Sequence, residues 1–139
     1  MSISHSASTP PAAVRPPRHA ATLLVVRDGA AGMEVLMLRR SDAAKDRNSG
    51  AAVFPGGVLD VHDRELHRWC ASVDDAEASR RLGVAAHGLD FYICAIRECF
   101  EEAGLLFASD AAGSLVDLDA LGADAVADLR HAEIGRAHV

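Results

Sequence analysis

Residues 97–105 read RECFEEAGL and carry the strongest signal in the chain. On an α-helix, where each residue advances about 100°, Glu98, Glu101 and Glu102 fall within an arc of about 100°. The other side of the same helix collects apolar side chains, which are Tyr92, Ile93, Ile96, Cys99, Phe100 and Ala103. The spacing therefore predicts an amphipathic helix that presents three carboxylates on one face. Considered alone, such an acidic face is normally only a solvated surface.

The residues around this helix predict a small α/β domain. Asp90 is a suitable N-cap for the carboxylate-bearing helix and Gly104 a suitable C-terminal stop. A shorter helix is predicted from Ser72, which forms a capping-box pattern with Asp75, to a stop at Gly83. The predicted segments are strands over 21–26, 33–39, 51–54 and 105–108, the first two forming a hairpin around the turn 27–32, and helices over 73–82, 91–103 and 117–131.

Composition excludes several classes of protein. The chain has 139 residues, the size of one domain, and half of them are hydrophobic, which is enough for a packed core. Its net charge is −6, and no basic stripe of the kind that binds nucleic acid is visible. Its apolar runs are far too short to cross a bilayer. We therefore expect neither a nucleic-acid nor a membrane partner.

The cysteines and the first residues bear on the cellular setting. The three cysteines form no CxxC pair, and no secretory segment is visible, so we expect a reduced cytoplasm. The many Ala and Arg residues are typical of a GC-rich, bacterial genome. Residues 1–19 are rich in Ser, Pro, Arg and Ala and are expected to form a disordered tail. A mitochondrial transit peptide has a similar composition, but four prolines leave no amphipathic face here.

The sequence 97–105 resembles the second half of the Nudix box, whose pattern is Gly-x5-Glu-x7-Arg-Glu-U-x-Glu-Glu-x-Gly-U, with U apolar. Every fixed position of this half is met, by Arg97, Glu98, Glu101, Glu102 and Gly104, with Cys99 and Leu105 at the apolar positions. Upstream, residues 54–57 read FPGG and resemble the glycine turn that opens the box. With Gly57 as its first residue, Asp63 falls where the family has Glu.

The chain departs from the pattern between the two halves. There, 33 residues, 64–96, replace the usual seven. The chain resembles one branch of the family, the coenzyme A diphosphatases, which carries an insertion at this place. In this chain we assign the insertion to about 64–89. The fold implied is a Nudix α/β/α sandwich around a mixed sheet, spanning residues 20–132.

The resemblance implies an enzyme and assigns roles to its residues. Glu98, Glu101 and Glu102 would bind Mg²⁺ or Mn²⁺, with Asp63 as a shorter fourth ligand. Arg97 would orient these carboxylates through an ion pair. Gly56 and Gly57 would let the backbone turn tightly beside the site. The catalytic set is therefore Arg97 with the three glutamates.

A second motif concerns the substrate. Coenzyme A diphosphatases often carry a motif ahead of the glycine turn that is similar to residues 36–41 and 50–57 here. Arg40 and Ser41 are the matching candidates for contact with substrate phosphates, although the middle basic residue is out of register. The favoured reaction is Mg²⁺-dependent hydrolysis of coenzyme A or acyl-coenzyme A. The alternatives are NADH or ADP-ribose as substrate, and a Nudix domain that binds a nucleotide without cleaving it.

Two further segments bear on metal binding and on the end of the domain. His62, His67 and Cys70 lie close in sequence, but their spacing matches no standard zinc site, so we expect them on the surface of the insertion. Residues 133–139 read EIGRAHV and resemble a translated sequencing adapter. We therefore expect authentic sequence to end near residue 132 and the domain to lack its last strands and second covering helix.

Overall fold

The computed structural model describes residues 16–40, 49–110 and 112–134. Most of the expected N-terminal tail, 1–15, and most of the adapter-like segment, 135–139, lie outside the described residues. The strands are β1 (Ala20–Thr22), β2 (Val26–Gly29), β3 (Gly32–Val35), β4 (Leu38–Arg39), β5 (Ala52–Val53) and β6 (Gly56–Val58). The helices are a 3-10 helix (Val61–Trp69), α1 (Asp75–Leu82), α2 (Gly88–Ala103), α3 (Leu118–Leu121) and α4 (Ala123–Ile134). None of the helices in this part of the chain has the length and apolar character needed to cross a membrane.

The described strands form three antiparallel pairs, β1 with β6, β2 with β3 and β4 with β5. A hairpin is confirmed here, with Val26 opposite Val35, but its turn is 30–31 and not the predicted 27–32, since the strands pair as far as Gly29 and Gly32. The run 21–26 is not one strand, however, because the chain changes partner within it. Leu23 N donates to Pro55 O, beside β6, whereas Val25 O accepts from Leu36 N, beside β3.

The first helices differ from prediction at their N-termini. The predicted Ser72 capping box is wrong, since α1 begins at Asp75 and Asp74 accepts from Glu77 N at 2.8 Å. The 3-10 helix was not predicted. It begins with a different capping box, in which Asp60 Oδ1 accepts from His62 N and Asp60 N donates to Asp63 Oδ2.

Helix α2 confirms the main prediction and begins three residues earlier than expected. Its N-cap is His87, at φ 65°, and not Asp90, which lies in the first turn. It ends at Gly104 in the left-handed conformation, as predicted. On its apolar side Ile93, Cys99 and Phe100 are buried.

After α2 the predicted strand and the predicted helix both differ from the structure. The expected strand 105–108 is absent, and strand-like pairing in this region is a single bridge between Ser109 and Leu115. The predicted helix 117–131 is divided at Gly122, whose φ is 81°. The α/β class is confirmed, and a buried cluster of Ala78, Leu89 and Ile93 joins α1 to α2.

Candidate metal centre

Glu98 and Glu102 of α2 lie against the glycine turn, and Glu101 shares the guanidinium of Arg97 with Glu98. Glu98 and Glu101 are largely buried, with side chains 16% and 20% exposed, and Glu102 is exposed. Glu102 Oε2 accepts a hydrogen bond from Gly56 N at 3.1 Å. The carboxylate face of α2 is therefore not simply solvated, because it contacts the backbone of the turn before β6.

Arg97 lies at the centre of the acidic cluster. Its Nε is 2.8 Å from Asp63 Oδ1, and its Nη1 is 3.0 Å from Glu98 Oε1 and 3.3 Å from Glu101 Oε2. Burial disfavours the charged form of this guanidinium, but the bond to Asp63 and the three carboxylate charges outweigh burial and raise its pKa. Arg97 therefore stays charged and ties the box carboxylates to one another.

Asp63 is fully buried, and both of its oxygens are engaged. Oδ1 accepts from Arg97, and Oδ2 accepts from Asp60 N at 2.8 Å. The structure thus places Asp63 as the partner of Arg97. The Asp60-x-x-Asp63 capping box at the start of a helical turn is the sequence signal that would have predicted this position.

The two glycines of the turn are required by close approach. A Cβ at Gly57 would collide with the Glu98 carboxylate, and a Cβ at Gly56 would collide with the carbonyl oxygen of Ala21. Cys94 Sγ also donates to Gly57 O at 3.6 Å. Gly56 thus lets β6 lie directly against the backbone of β1, and Gly57 leaves room for the Glu98 carboxylate.

Burial and the charge of Arg97 act in opposite directions on the carboxyl group of Glu98. Burial raises the pKa of Glu98, the charges of Glu101 and Glu102 raise it further, and Arg97 opposes this. Carboxylate oxygens are the donors that Mg²⁺ prefers, so the donor chemistry fits a divalent metal. As they are placed, no three His, Cys, Asp or Glu side chains in the described ranges converge on one point.

Of the two residues predicted to contact substrate phosphates, the structure describes one, Arg40. Arg40 follows β4, and its backbone N–H donates to Ala51 O at 3.0 Å, with its side chain exposed. Ser41 lies outside the described residues. A zinc site formed by His62, His67 and Cys70 gains no support. His67 Nε2 is 2.6 Å from Asp90 Oδ1, and Cys70 Sγ donates to Leu66 O.

Comparison with known proteins gives one structural likeness. The chain is similar to the crystal structure of a NUDIX hydrolase from Alicyclobacillus acidocaldarius, with 33% sequence identity and a TM-score of 0.57. The match covers 86% of this chain and 56% of that chain, so the chain spans little more than half of that protein's length. No protein-family model matches the sequence, and a comparison with curated proteins finds no match.

These findings define an α/β domain that is similar in fold to a NUDIX hydrolase. The likeness supports the Nudix hydrolase family for this chain, in agreement with residues 97–105 on α2.

Proposed function

We propose that this chain carries the metal site of a Nudix hydrolase that cleaves a nucleoside diphosphate linked to another moiety. One observation carries the proposal: Arg97 joins Asp63 to Glu98 and Glu101 beside the glycine turn. A likeness at 33% identity to a Nudix hydrolase supports it independently. The proposed partner is a small nucleotide.

In this proposal Glu98, Glu101 and Glu102 hold Mg²⁺ or Mn²⁺. Nudix hydrolases generally use such divalent metals. Magnesium takes a few carboxylates together with substrate phosphate oxygens and retained waters. When bound, the metal supplies polarisation of a phosphoryl oxygen and acidification of the attacking water. The carboxylates keep the cation at the helix face and so allow a polyanionic diphosphate to approach an otherwise acidic surface.

Arg97 and Asp63 act on the substrate only through the glutamates. Arg97 limits the rotation of Glu98 and Glu101 and offsets part of their mutual repulsion. Asp63, with no exposed surface, fixes the guanidinium from the other side. Serving as a fourth metal ligand would require Asp63 to release Arg97, so we propose the positioning role for this residue.

Coenzyme A or acyl-coenzyme A is the substrate that the residues before the glycine turn favour. Arg40 and Ser41 match the basic and hydroxyl positions of the motif similar to coenzyme A diphosphatases, and we propose that they contact the substrate phosphates. Gly56 and Gly57 shape the backbone beside the carboxylates. NADH and ADP-ribose carry the same diphosphate linkage and are the competing substrates.

Product analysis tests the proposal. The protein is incubated with coenzyme A, ADP-ribose, NADH or a dinucleoside polyphosphate, with Mg²⁺ or with EDTA. We expect Mg²⁺-dependent release of 3′,5′-adenosine diphosphate and phosphopantetheine from coenzyme A. Glu101→Gln and Glu102→Gln should each lower turnover roughly 100-fold or more, because a metal contribution of several kcal/mol is lost.

Glu34→Gln is the matched control, since Glu34 is an exposed carboxylate on β3 that pairs with the surface residue Arg27. Its turnover should equal that of the wild type. Faster turnover of NADH or ADP-ribose would replace coenzyme A as the substrate. Nucleotide binding with no cleavage of any compound would show a binding domain instead of an enzyme.

A further inference from the structure

The N-terminus of α2 has no cap of its own. Its N-cap residue, His87, makes no side-chain capping bond. The first amides of the helix are nevertheless bonded, and their acceptors lie on α1. His87 N and Leu89 N donate to the two carboxylate oxygens of Asp75, each at 3.0 Å, and Gly88 N donates to Ser79 Oγ at 2.9 Å.

The backbones of α1 and α2 approach closely at the same place. Gly88 is buried, and a Cβ there would collide with backbone atoms of Ser79 and Ala78. Next to this contact, Ala78 packs with Leu89 and Ile93, and Leu66 and Val73 cover the cluster. The segment between Asp63 and α2 therefore supplies core packing as well as hydrogen bonds.

A second attachment holds the first turn of α2 from the 3-10 helix. Asp90 is buried, and its carboxylate accepts from Arg64 Nη2 at 3.0 Å and contacts His67 Nε2 at 2.6 Å. Arg64 also contacts His87 Nδ1 at 2.8 Å. The start of α2 is thus bonded from two elements that precede it in the chain.

We infer that the intervening segment, residues 64–87, caps α2 from outside and that Asp75 is its main positioning residue. The carboxylate oxygens of Asp75 satisfy two of the four amides that a helix N-terminus leaves without an intrahelical partner. A negative charge there also interacts favourably with the helix dipole. Because α2 is one continuous helix, fixing its first turn fixes the placement of Glu98 and Glu102 against the glycine turn. The catalytic consequence rests on the function proposed above, whereas the capping itself does not.

Two neighbouring residues offer a matched test. Asp75→Ala removes the acceptors for His87 N and Leu89 N. Asp74→Ala removes the capping bond of α1, which Glu77 N donates to Asp74 Oδ1. It leaves the hydrogen bonds to the first amides of α2 in place. Asp75→Asn keeps one carbonyl oxygen, so it should still accept one of the two hydrogen bonds from the α2 amides. Ser79→Ala removes the hydrogen bond from Gly88 N and is the alternative test variant if Asp75→Ala does not fold.

The first readout is amide hydrogen exchange at residues 87–89. We expect Asp75→Ala to speed exchange there about tenfold or more, a factor that a lost capping bond of ~1.4 kcal/mol would produce. Asp74→Ala should leave these amides within about twofold of the wild type, and Asp75→Asn should lie between. Equal exchange at 87–89 in the two alanine variants would overturn the external cap.

The second readout is the Mn²⁺ concentration that half-saturates the protein, which a merely structural loss of stability would not change in folded protein. It should rise several-fold in Asp75→Ala, stay at the wild-type value in Asp74→Ala and recover in part in Asp75→Asn. An unchanged value in Asp75→Ala would overturn the positioning role. Absence of turnover in the wild type, with both readouts as expected, would contradict only the proposed function.

Discussion

Arg97 Nε donates to Asp63 Oδ1 at 2.8 Å across a sequence separation of 34 residues. This bond joins the segment after the glycine turn to the carboxylate face of α2. The pair is almost completely buried, with the Asp63 side chain inaccessible and that of Arg97 12% exposed. The two halves of the box are therefore in contact despite the long segment between them.

Arg97→Ala should destabilise the protein by about 3–5 kcal/mol, because it leaves the buried Asp63 carboxylate without its partner. Urea unfolding followed by circular dichroism measures the difference. Arg27→Ala is the control, since Arg27 and Glu34 form a pair at 2.7 Å with side chains 80% and 50% exposed. Removing that exposed pair should cost at most about 1 kcal/mol. Similar costs for the two variants would contradict the buried arrangement.

Gly57→Ala should lower Mg²⁺-dependent turnover by about 100-fold, because the new methyl group displaces the Glu98 carboxylate and small misplacements at a reacting centre are costly. Steady-state kinetics over a range of Mg²⁺ concentrations measures it. In the control, Gly29→Ala, the new methyl meets only the exposed, flexible side chain of Glu34. Its turnover should stay within about twofold of wild type, and an equally active Gly57→Ala would rule out the close approach.

Asp75 should make a pH-dependent contribution to stability. The backbone bonds from Leu89 and His87 lower its pKa below the ordinary value of 3.8, with smaller contributions from the charges of His67 and His87. A lowered pKa in the folded state means that the stabilisation is present above the ordinary pKa and is lost as pH falls through the folded value. Thermal unfolding from about pH 7 to pH 2 should therefore show Asp75→Asn less stable at neutral pH and converging with wild type in acid.

A control for this pH dependence comes from Glu77 on α1. Hydrogen bonds from Arg80 and Arg81 lower the pKa of Glu77 to about 2. Because that network is exposed, high salt should weaken the effect of Glu77→Gln, while the backbone bonds of Asp75 should persist. A stability difference between wild type and Asp75→Asn that stays constant with pH would count against the capping bonds.

The acidic helix and the hairpin could be predicted because their signals are local. The apolar and acidic faces of residues 91–103 follow from helical periodicity, and Gly104 is a standard stop. Glu98, Glu101 and Glu102 lie within two turns of one helix, so no tertiary information was needed to place them on the same face.

The start of α2 could not be predicted, because its capping groups come from another helix. The spacing predicts a local capping box between Ser72 and Asp75, whereas the Asp75 oxygens accept from the amides of His87 and Leu89. The sequence likewise predicts Asp90 as an N-cap, whereas its carboxylate bonds to Arg64 and His67. In both cases a tertiary hydrogen bond replaced the local one that the spacing favoured.

The central claim is that the carboxylate face of α2 is a divalent-metal site, and Mn²⁺ titration tests it most directly. Free Mn²⁺ is followed by electron paramagnetic resonance as it is added to wild type, Glu101→Gln and the control Glu34→Gln. We predict one site in the wild type and in the control, weakened about tenfold or more in Glu101→Gln. Equal Mn²⁺ affinity in all three proteins, or no binding in the wild type, would contradict the claim.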